Sequence, residues 1–406
     1  MYRLRSALCA RCHGVASLHC SAVVTALQNL WSIIWPMILH RTANPLQRVL
    51  CRGLVAAVLL WVTLSAWAAQ QAVASKWIPV AKIQSRLTAN DMGVVINTSD
   101  PYSVAVGEYY IQRRGIPLDN VVRVDIPVRD ALNVAEFGAL YAQIRDSLGP
   151  QVQALALAWT QPFMVGCNSI TSAITLGYEP EVCRNSCAAS KVSRYFNSSS
   201  ARPFSDLGLR PSMLLAARSV DSGKALIDRG VAADATLGKL GAPPARAVFV
   251  STDDVARNVR APLFPPAGSM GRVGATVVLR KVAETQPLQQ VFLFQTGVTR
   301  QNDIDSKQWT PGALADHLTS FGGQLRDGSG QMSALEWLES GATASYGTVS
   351  EPCNHLQKFP HPQVLLLNYV QGATAIEAYW RSVAWPGQGV FVGEPLAAPF
   401  GRVVEH

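Results

Sequence analysis

The first 68 residues contain no Asp, no Glu and no Lys, although they carry six Arg, at positions 3, 5, 11, 41, 48 and 52. Folded domains rarely have such a one-sided charge, so this absence excludes an ordinary domain and marks a targeting segment. The basic excess of the whole chain, 35 Lys+Arg against 27 Asp+Glu, shrinks to 29 against 27 once those six Arg are set aside. No clustered basic footprint for nucleic acid is left on the remainder. The sequence also lacks a G-x-S-x-G elbow, an H-E-x-x-H helix, a Walker loop and a Rossmann glycine fingerprint, so no cofactor and no metal is called for. It shows no internal repeat and no low-complexity tract.

What the leader does contain is ordered for export. Arg41, Arg48 and Arg52 precede the apolar run from Leu54 to Leu64, which is too short for a permanent anchor. Ala66-Trp67-Ala68 closes that run with small residues one and three positions before a cut, which places cleavage after Ala68 and the mature N-terminus at Ala69. Ala72-Val73-Ala74 is the runner-up. A second apolar stretch, residues 22–39, is broken by Gln28, Asn29 and Pro36, and Met37 stands before an n-region of normal length. Translation is read as starting at Met37, with an extra membrane helix as the competing reading. Residues 69–90 read as a linker and 91–402 as one α/β domain, of one lobe or two. The expected location is periplasmic or extracellular, without a permanent membrane anchor after cleavage.

Four cysteines, Cys167, Cys183, Cys187 and Cys353, fall after the leader. An even set in an oxidising compartment favours disulfides. Of the three pairings, Cys183 with Cys187 and Cys167 with Cys353 is preferred, because three of them share one polar loop and the fourth follows a strand. A zinc site using these thiols and His355 is the alternative, although the spacing matches no standard zinc module.

Apolar strands alternate with helices along the chain. Residues 93–97, 121–126 and 154–159 read as strands separated by two helices, the first opened by Asp100-Pro101 and ended by Gly115, the second opened by the capping box of Asn133 and Glu136. The pattern breaks from Gln161 to Arg210, a Ser-, Asn-, Cys- and Pro-rich loop long enough to be functional or stapled. It resumes with strands at 213–217, 247–251, 291–295, 342–346 and 390–392, and with helices capped by Ser333/Glu336 and Thr374/Glu377. The segment 310–320 is ambiguous, since Thr310-Pro311 opens like a helix. The fold class is α/β, a mostly parallel sheet covered by helices on both faces, with a long Cys-containing loop insertion.

Ligands bind beyond the carboxyl ends of parallel strands, where all exits share one edge. Three polar sets lie at such exits. Asn97, Ser99 and Asp100 follow the first strand, and helix capping accounts for Asp100. Gly297, Thr299, Arg300, Asn302 and Asp303 follow 291–295, where turn chemistry accounts for most. The densest set is Asp316, His317 and Ser320 with Glu351, Cys353, Asn354 and His355. A helix would put His317 and Ser320 on one face, as a His-activated hydroxyl requires; a strand would turn them to opposite sides but bring Ser320 to the exit of Glu351. In the bland reading His317 and Ser320 bond nearby backbone.

The stretches Pro311 to Gly323, Gly341 to Asn354 and Val392-Gly393-Glu394-Pro395-Leu396 resemble an uncharacterised family of secreted bacterial proteins found in genomes that carry the exosortase sorting system. That likeness takes in nearly all of residues 90–402, including Arg113 to Pro117 and Cys167 to Thr171, and implies no assigned activity. A more distant likeness is to caspase- and gingipain-type cysteine peptidases, in the order of strand and helix, the Gly-Ala strand near 342 and the Gly-Glu-Pro near 394. Those enzymes place His-Gly after one strand and Cys after the next, where this chain has Thr296-Gly297 and Ser320. The resemblance therefore implies a peptidase-like scaffold without the cysteine-peptidase dyad. Two functions follow: a non-catalytic protein that binds a sorted envelope protein or a surface glycan, or a hydrolase or transpeptidase with a catalytic cleft of Asp316, His317, Ser320 and Glu351.

Overall fold

The computed structural model describes residues 77–402 apart from 285, 327 and 329. The readings of the start at Met37, the stretch 22–39 and the cut after Ala68 lie outside the described residues, as does the first part of the 69–90 segment.

The chain opens with β1 (Met92–Asn97) and α1 (Pro101–Arg114), then β2 (Val121–Val124), β3 (Ala131–Leu132), α2 (Val134–Ser147) and β4 (Ala154–Leu157). The insertion carries β5 (Met164–Val165), β6 (Asn168–Ser169), α3 (Ile170–Leu176), α4 (Glu181–Arg184) and α5 (Pro203–Leu207). After it come β7 (Ser212–Leu214), α6 (Val220–Ala233), β8 (Ala245–Ser251), β9 (Gly268–Met270), β10 (Ala275–Lys281), β11 (Leu288–Thr296) and β12 (Lys307–His317). The chain ends through α7 (Ala334–Glu339), β13 (Ala344–Thr348), α8 (Pro362–Val370), α9 (Ala375–Ser382) and β14 (Gly389–Gly393).

Local chemistry explains the helix starts. Asp100 accepts the Tyr102 N–H at 3.0 Å with Pro101 in the first turn, and Asn133/Glu136, Ser333/Glu336 and Thr374/Glu377 form reciprocal capping boxes. The ambiguous segment is a strand. Gly312 adopts φ 83°, a conformation no helix passes through, and Ala313 to His317 are buried between β11 and β13.

Eleven strands form one sheet in the order β2-β1-β4-β7-β14-β13-β12-β11-β8-β10-β9, and β3, β5 and β6 form a small separate sheet. The large sheet is two parallel blocks of opposite direction, with the short β9 added antiparallel to β10 at one end. β2, β1, β4, β7 and β14 run one way; β13, β12, β11, β8 and β10 run the other way. The blocks meet where β13 pairs antiparallel with β14, Tyr346 opposite Phe391. This corrects the expectation of a single exit edge: the carboxyl ends of the first block open on one edge and those of the second on the other.

Side chains alternate across the sheet, as period two requires. Val94 and Ile96 join a core with Val106 and Tyr110 of α1, Leu365 and Tyr369 of α8, and Tyr379 and Trp380 of α9. Val95 faces the opposite core, with Phe137 and Leu140 of α2, Ala173 of α3 and Leu335 of α7. Trp380 stacks on Phe391 at 4.2 Å between ring centroids.

Two long-range fastenings close the domain. In the Gly-Glu-Pro stretch, Glu394 is fully buried and takes the Arg114 guanidinium through both oxygens, at 3.0 and 2.6 Å. Asp234 takes the third guanidinium nitrogen at 2.5 Å and also accepts the Ala398 N–H at 3.0 Å. The motif is thus a clasp joining α1, the end of α6 and the C-terminal segment. At the other terminus, residues 77–88 form an extended strap. Its Ile78, Ala81, Ile83 and Leu87 N–H groups donate to the side chains of Gln363, Asn197, Gln371 and Glu377 at 2.8 to 3.2 Å.

Candidate functional site

Four parallel strands of the second block deliver their following loops to one edge: residues 252–258 after β8, Thr296-Gly297 after β11, Leu318 to Ser320 after β12 and 349–354 after β13. The crevice between β8 and β11 is closed. Thr252 Oγ1 donates to the Gly297 carbonyl at 2.8 Å, and a Cβ at Gly297 would sit 2.0 Å from the Arg257 carbonyl oxygen. The open space lies one strand further on, a cleft of about 300 Å³ lined by Arg257, Thr319, Ser320, Glu351, Cys353 and Asn354.

Each wall is held by identifiable bonds. Arg257 pairs with Asp254 at 2.8 Å and donates to Thr319 Oγ1 at 3.2 Å; Thr319 Oγ1 in turn donates to Gln331 at 2.7 Å. The Thr348 hydroxyl donates to the carbonyls of Thr319 and Ser320 at 3.1 and 2.9 Å, tying the end of β13 to the Ser320 turn. Backbones touch there: a Cβ on Gly347 would lie 2.3 Å from the Gly322 carbonyl carbon. On the other wall, one oxygen of Glu351 accepts the Cys353 N–H at 2.7 Å. Cys353 and Asn354 both take left-handed backbone, φ 56° and 48°, a conformation that costs non-glycine residues of order 1–3 kcal/mol each. A disulfide from Cys187 to Cys353 and a bond from Asn354 Nδ2 to the Ala256 carbonyl at 3.1 Å keep the turn in place.

The preferred cysteine pairing is therefore corrected. Cys187 reaches across to Cys353, and Cys167 and Cys183 are bonded to neither of them in this structure. From Cys187 the polar loop crosses to the edge of the second block rather than bonding to its neighbour Cys183. The same bond removes two of the thiols from the zinc alternative, and His355 lies exposed against Trp385 with ring centroids 6.0 Å apart.

The residues Asp316, His317, Ser320 and Glu351 separate into two groups. Ser320 and Glu351 share the cleft. Asp316 and His317, each 1% exposed, lie in the core. Asp316 forms a buried ion pair with Arg260 at 2.6 Å and accepts Gln295 Nε2 at 2.8 Å; burial pushes its carboxyl up, and the Arg260 charge pulls it back. His317 faces the opposite side of the sheet. Its Nδ1 accepts the Trp337 indole N–H at 2.9 Å, so the ring proton sits on Nε2, which donates to the Met332 carbonyl at 3.1 Å. Desolvation, with Arg260 nearby, holds the imidazole down to about 3. A neutral ring with both nitrogens bonded inside the core has no free site for proton transfer to Ser320.

Arg257, Thr319 and Lys358 are additions that the sequence did not single out. The exit rule, applied to the strand ending at Ser251, points to the loop that carries Arg257. Nothing in the sequence points to Lys358, which is fully buried, donates to the Ser186 carbonyl at 2.6 Å, and is pushed down to about 8 by desolvation against the pull of Glu351 and Glu179.

The other two polar sets are structural in their bonding. Asn97 brackets Ile126, donating to its carbonyl at 2.9 Å and accepting its N–H at 3.1 Å; Ser99 donates to Asp125. Asp100 caps α1 at the rim of a second cleft, about 330 Å³, on the opposite edge of the sheet with Thr160, Gln161 and Arg326. In the remaining set, Gly297 packs on the Arg257 backbone, the Thr299 carbonyl accepts the Met332 N–H at 2.9 Å, Arg300 pairs with Glu336 at 2.6 Å and Asp303 with Lys307 at 3.0 Å. Asn302 is exposed in the turn.

No family model matches the chain, and no curated protein matches it. Solved structures do. The Arg-specific cysteine proteinase gingipain R aligns with 79% of this chain and 80% of its own, at 11% identity and a TM-score of 0.40. The complex of Porphyromonas gingivalis RgpB pro- and mature domains aligns over 76% and 79%, at 11% identity and a TM-score of 0.38. A third structure, of a protease, aligns over 77% and 79%, at 11% identity and a TM-score of 0.43. These are distant resemblances of architecture.

Proposed function

We propose that this chain is an exported, non-catalytic binding or accessory protein of the cell envelope, which takes a segment of a sorted envelope protein or a surface glycan in the Ser320–Glu351 cleft and serves exosortase-type sorting or surface assembly. One observation carries the non-catalytic reading: both ring nitrogens of His317 are bonded within the core and Asp316 is bonded to Arg260, so the imidazole and carboxylate nearest in sequence to Ser320 are withheld from it. Support for export comes from the acid-free leader and from the Cys187–Cys353 disulfide. Among the described residues, no helix is long and apolar enough to cross a membrane.

A hydrolase or transpeptidase is the second reading, favoured by Ser320 and Glu351 lining one cleft. Without His317, that chemistry falls to a Ser320 hydroxyl with Glu351 as base, a carboxylate that already accepts the Cys353 N–H. A fluorophosphonate probe on the purified chain separates the two. The binding reading expects no labelling. Labelling that disappears in both Ser320→Ala and Glu351→Gln refutes it.

A further inference from the structure

We infer that Cys167 and Cys183 are the site of a second disulfide, one that closes the insertion on itself beside the wall of the Ser320–Glu351 cleft. Cys167 occupies a two-residue turn with Gly166 between β5 and β6, whose Val165 and Asn168 pair across it. Gly166 takes φ 53° there, as such turns require. Cys183 sits on α4. The two are brought into register by Asn168, whose side chain donates to the Glu179 carbonyl and accepts the Glu179 N–H, both at 3.0 Å, in the manner of a paired strand. The result is close approach: the Cys167 N–H donates to Cys183 Sγ at 2.9 Å, and the two thiols lie within interaction range of each other.

The environment sets the order of the chemistry. Cys183 is exposed and Cys167 is half-buried; burial and its neighbour push the Cys167 thiol up to about 12. Cys183 is therefore the thiol an oxidant meets first. Its thiolate attacks a disulfide, of glutathione or of a thiol oxidoreductase, and expels one thiol from it. Cys167 then gives up its proton and attacks Cys183 Sγ, expelling the second thiol. Two protons and two electrons leave the cysteine pair, and the oxidant's disulfide is reduced to two thiols. The link matters to the cleft because the Cys167 carbonyl accepts the Ser350 hydroxyl at 2.7 Å, next to Glu351, and Cys187–Cys353 fastens the far end of the same wall.

The inference rests on the proposed export only for its oxidant in the cell, so the chemistry is tested on purified chain. Reduced protein is incubated under native conditions with glutathione disulfide, alkylated, digested without reduction and mapped by mass spectrometry. The expected map joins the Cys167 peptide to the Cys183 peptide and the Cys187 peptide to the Cys353 peptide. Alkylated or glutathione-capped Cys167 and Cys183 beside an intact Cys187–Cys353 link overturns the inference, as does any crossed linkage. In Cys183→Ser, Cys167 should become open to alkylation or glutathione capping; a Cys167 still blocked there overturns the pairing. Cell fractionation reads export separately. A cytoplasmic chain that forms the link when purified overturns export and leaves the pairing standing, whereas an exported chain with both thiols free overturns the pairing.

Discussion

Lowering the pH should destabilise this protein through His317, and the size of the effect follows from where the ring lies. Its ordinary value of 6.5 applies to the unfolded chain, and burial holds it down to about 3 in the folded one. Between those values the unfolded chain binds a proton that the folded chain refuses. The contribution to stability is therefore complete above 6.5 and is lost as the pH falls toward 3, at about 1.4 kcal/mol per unit. Over the first two units it amounts to about 2.7 kcal/mol. At the usual entropy per residue, that is roughly a 4 °C drop in Tm for a domain of this size. Calorimetry from pH 7 to 4.5 on the native chain and on His317→Gln reads it, because the amide keeps an acceptor and a donor but carries no titrating proton. The slopes should differ by that amount whatever the two absolute Tm values, since every other group is shared. Parallel slopes, or a His317 ring signal that titrates near 6.5 in the folded protein, would refute the placement of this side chain in the core and reopen a catalytic role for it.

Glu394→Gln should cost about 3–5 kcal/mol, because it leaves the buried Arg114 guanidinium short of its partner; thermal unfolding checks it, and a loss under 1 kcal/mol would show the clasp to be dispensable. Cys187→Ser should destabilise by about 2–5 kcal/mol, since the bond closes a loop of sequence separation 166, and should loosen hydrogen exchange at 351–354; unchanged protection there would separate the disulfide from the cleft wall. Periplasmic material should begin at Ala69 by intact mass, and an uncleaved chain in the membrane fraction would contradict the export reading.

Strands such as β1 and β4 were legible because fully buried strands have to be apolar throughout, and the helix starts because a cap needs a short polar side chain at a fixed offset. β12 was not, since Thr310-Pro311 has the chemistry of a helix start and only the packing of Gly312 against Ala233 and Pro399 decides otherwise. The reversal at β13/β14 was invisible for a topological reason: a helical connection ordinarily returns a strand parallel to the last, and nothing in the residues says that α8 and α9 bring this one back antiparallel. The meeting of Ser320 with Glu351 followed from strand direction within the second block, where the exit rule holds. The depth of Asp316 and His317 did not, because alternation assigns a side chain to a face and is silent about the layer that covers it. Cysteine pairing failed for the same kind of reason, since Asn168 and Glu179 bring Cys167 to Cys183 across the insertion without any regular spacing.

The strap at residues 77–88 also bears on the order in which this chain can fold. Three of its partners, Gln363, Gln371 and Glu377, lie 285 to 290 positions further along the chain and the fourth, Asn197, lies 116 further along, so the strap cannot be fully seated until almost the last helix has followed. Closure at this end of the domain therefore comes late. On the proposed export route the strap completes its contacts only after nearly the whole polypeptide is through.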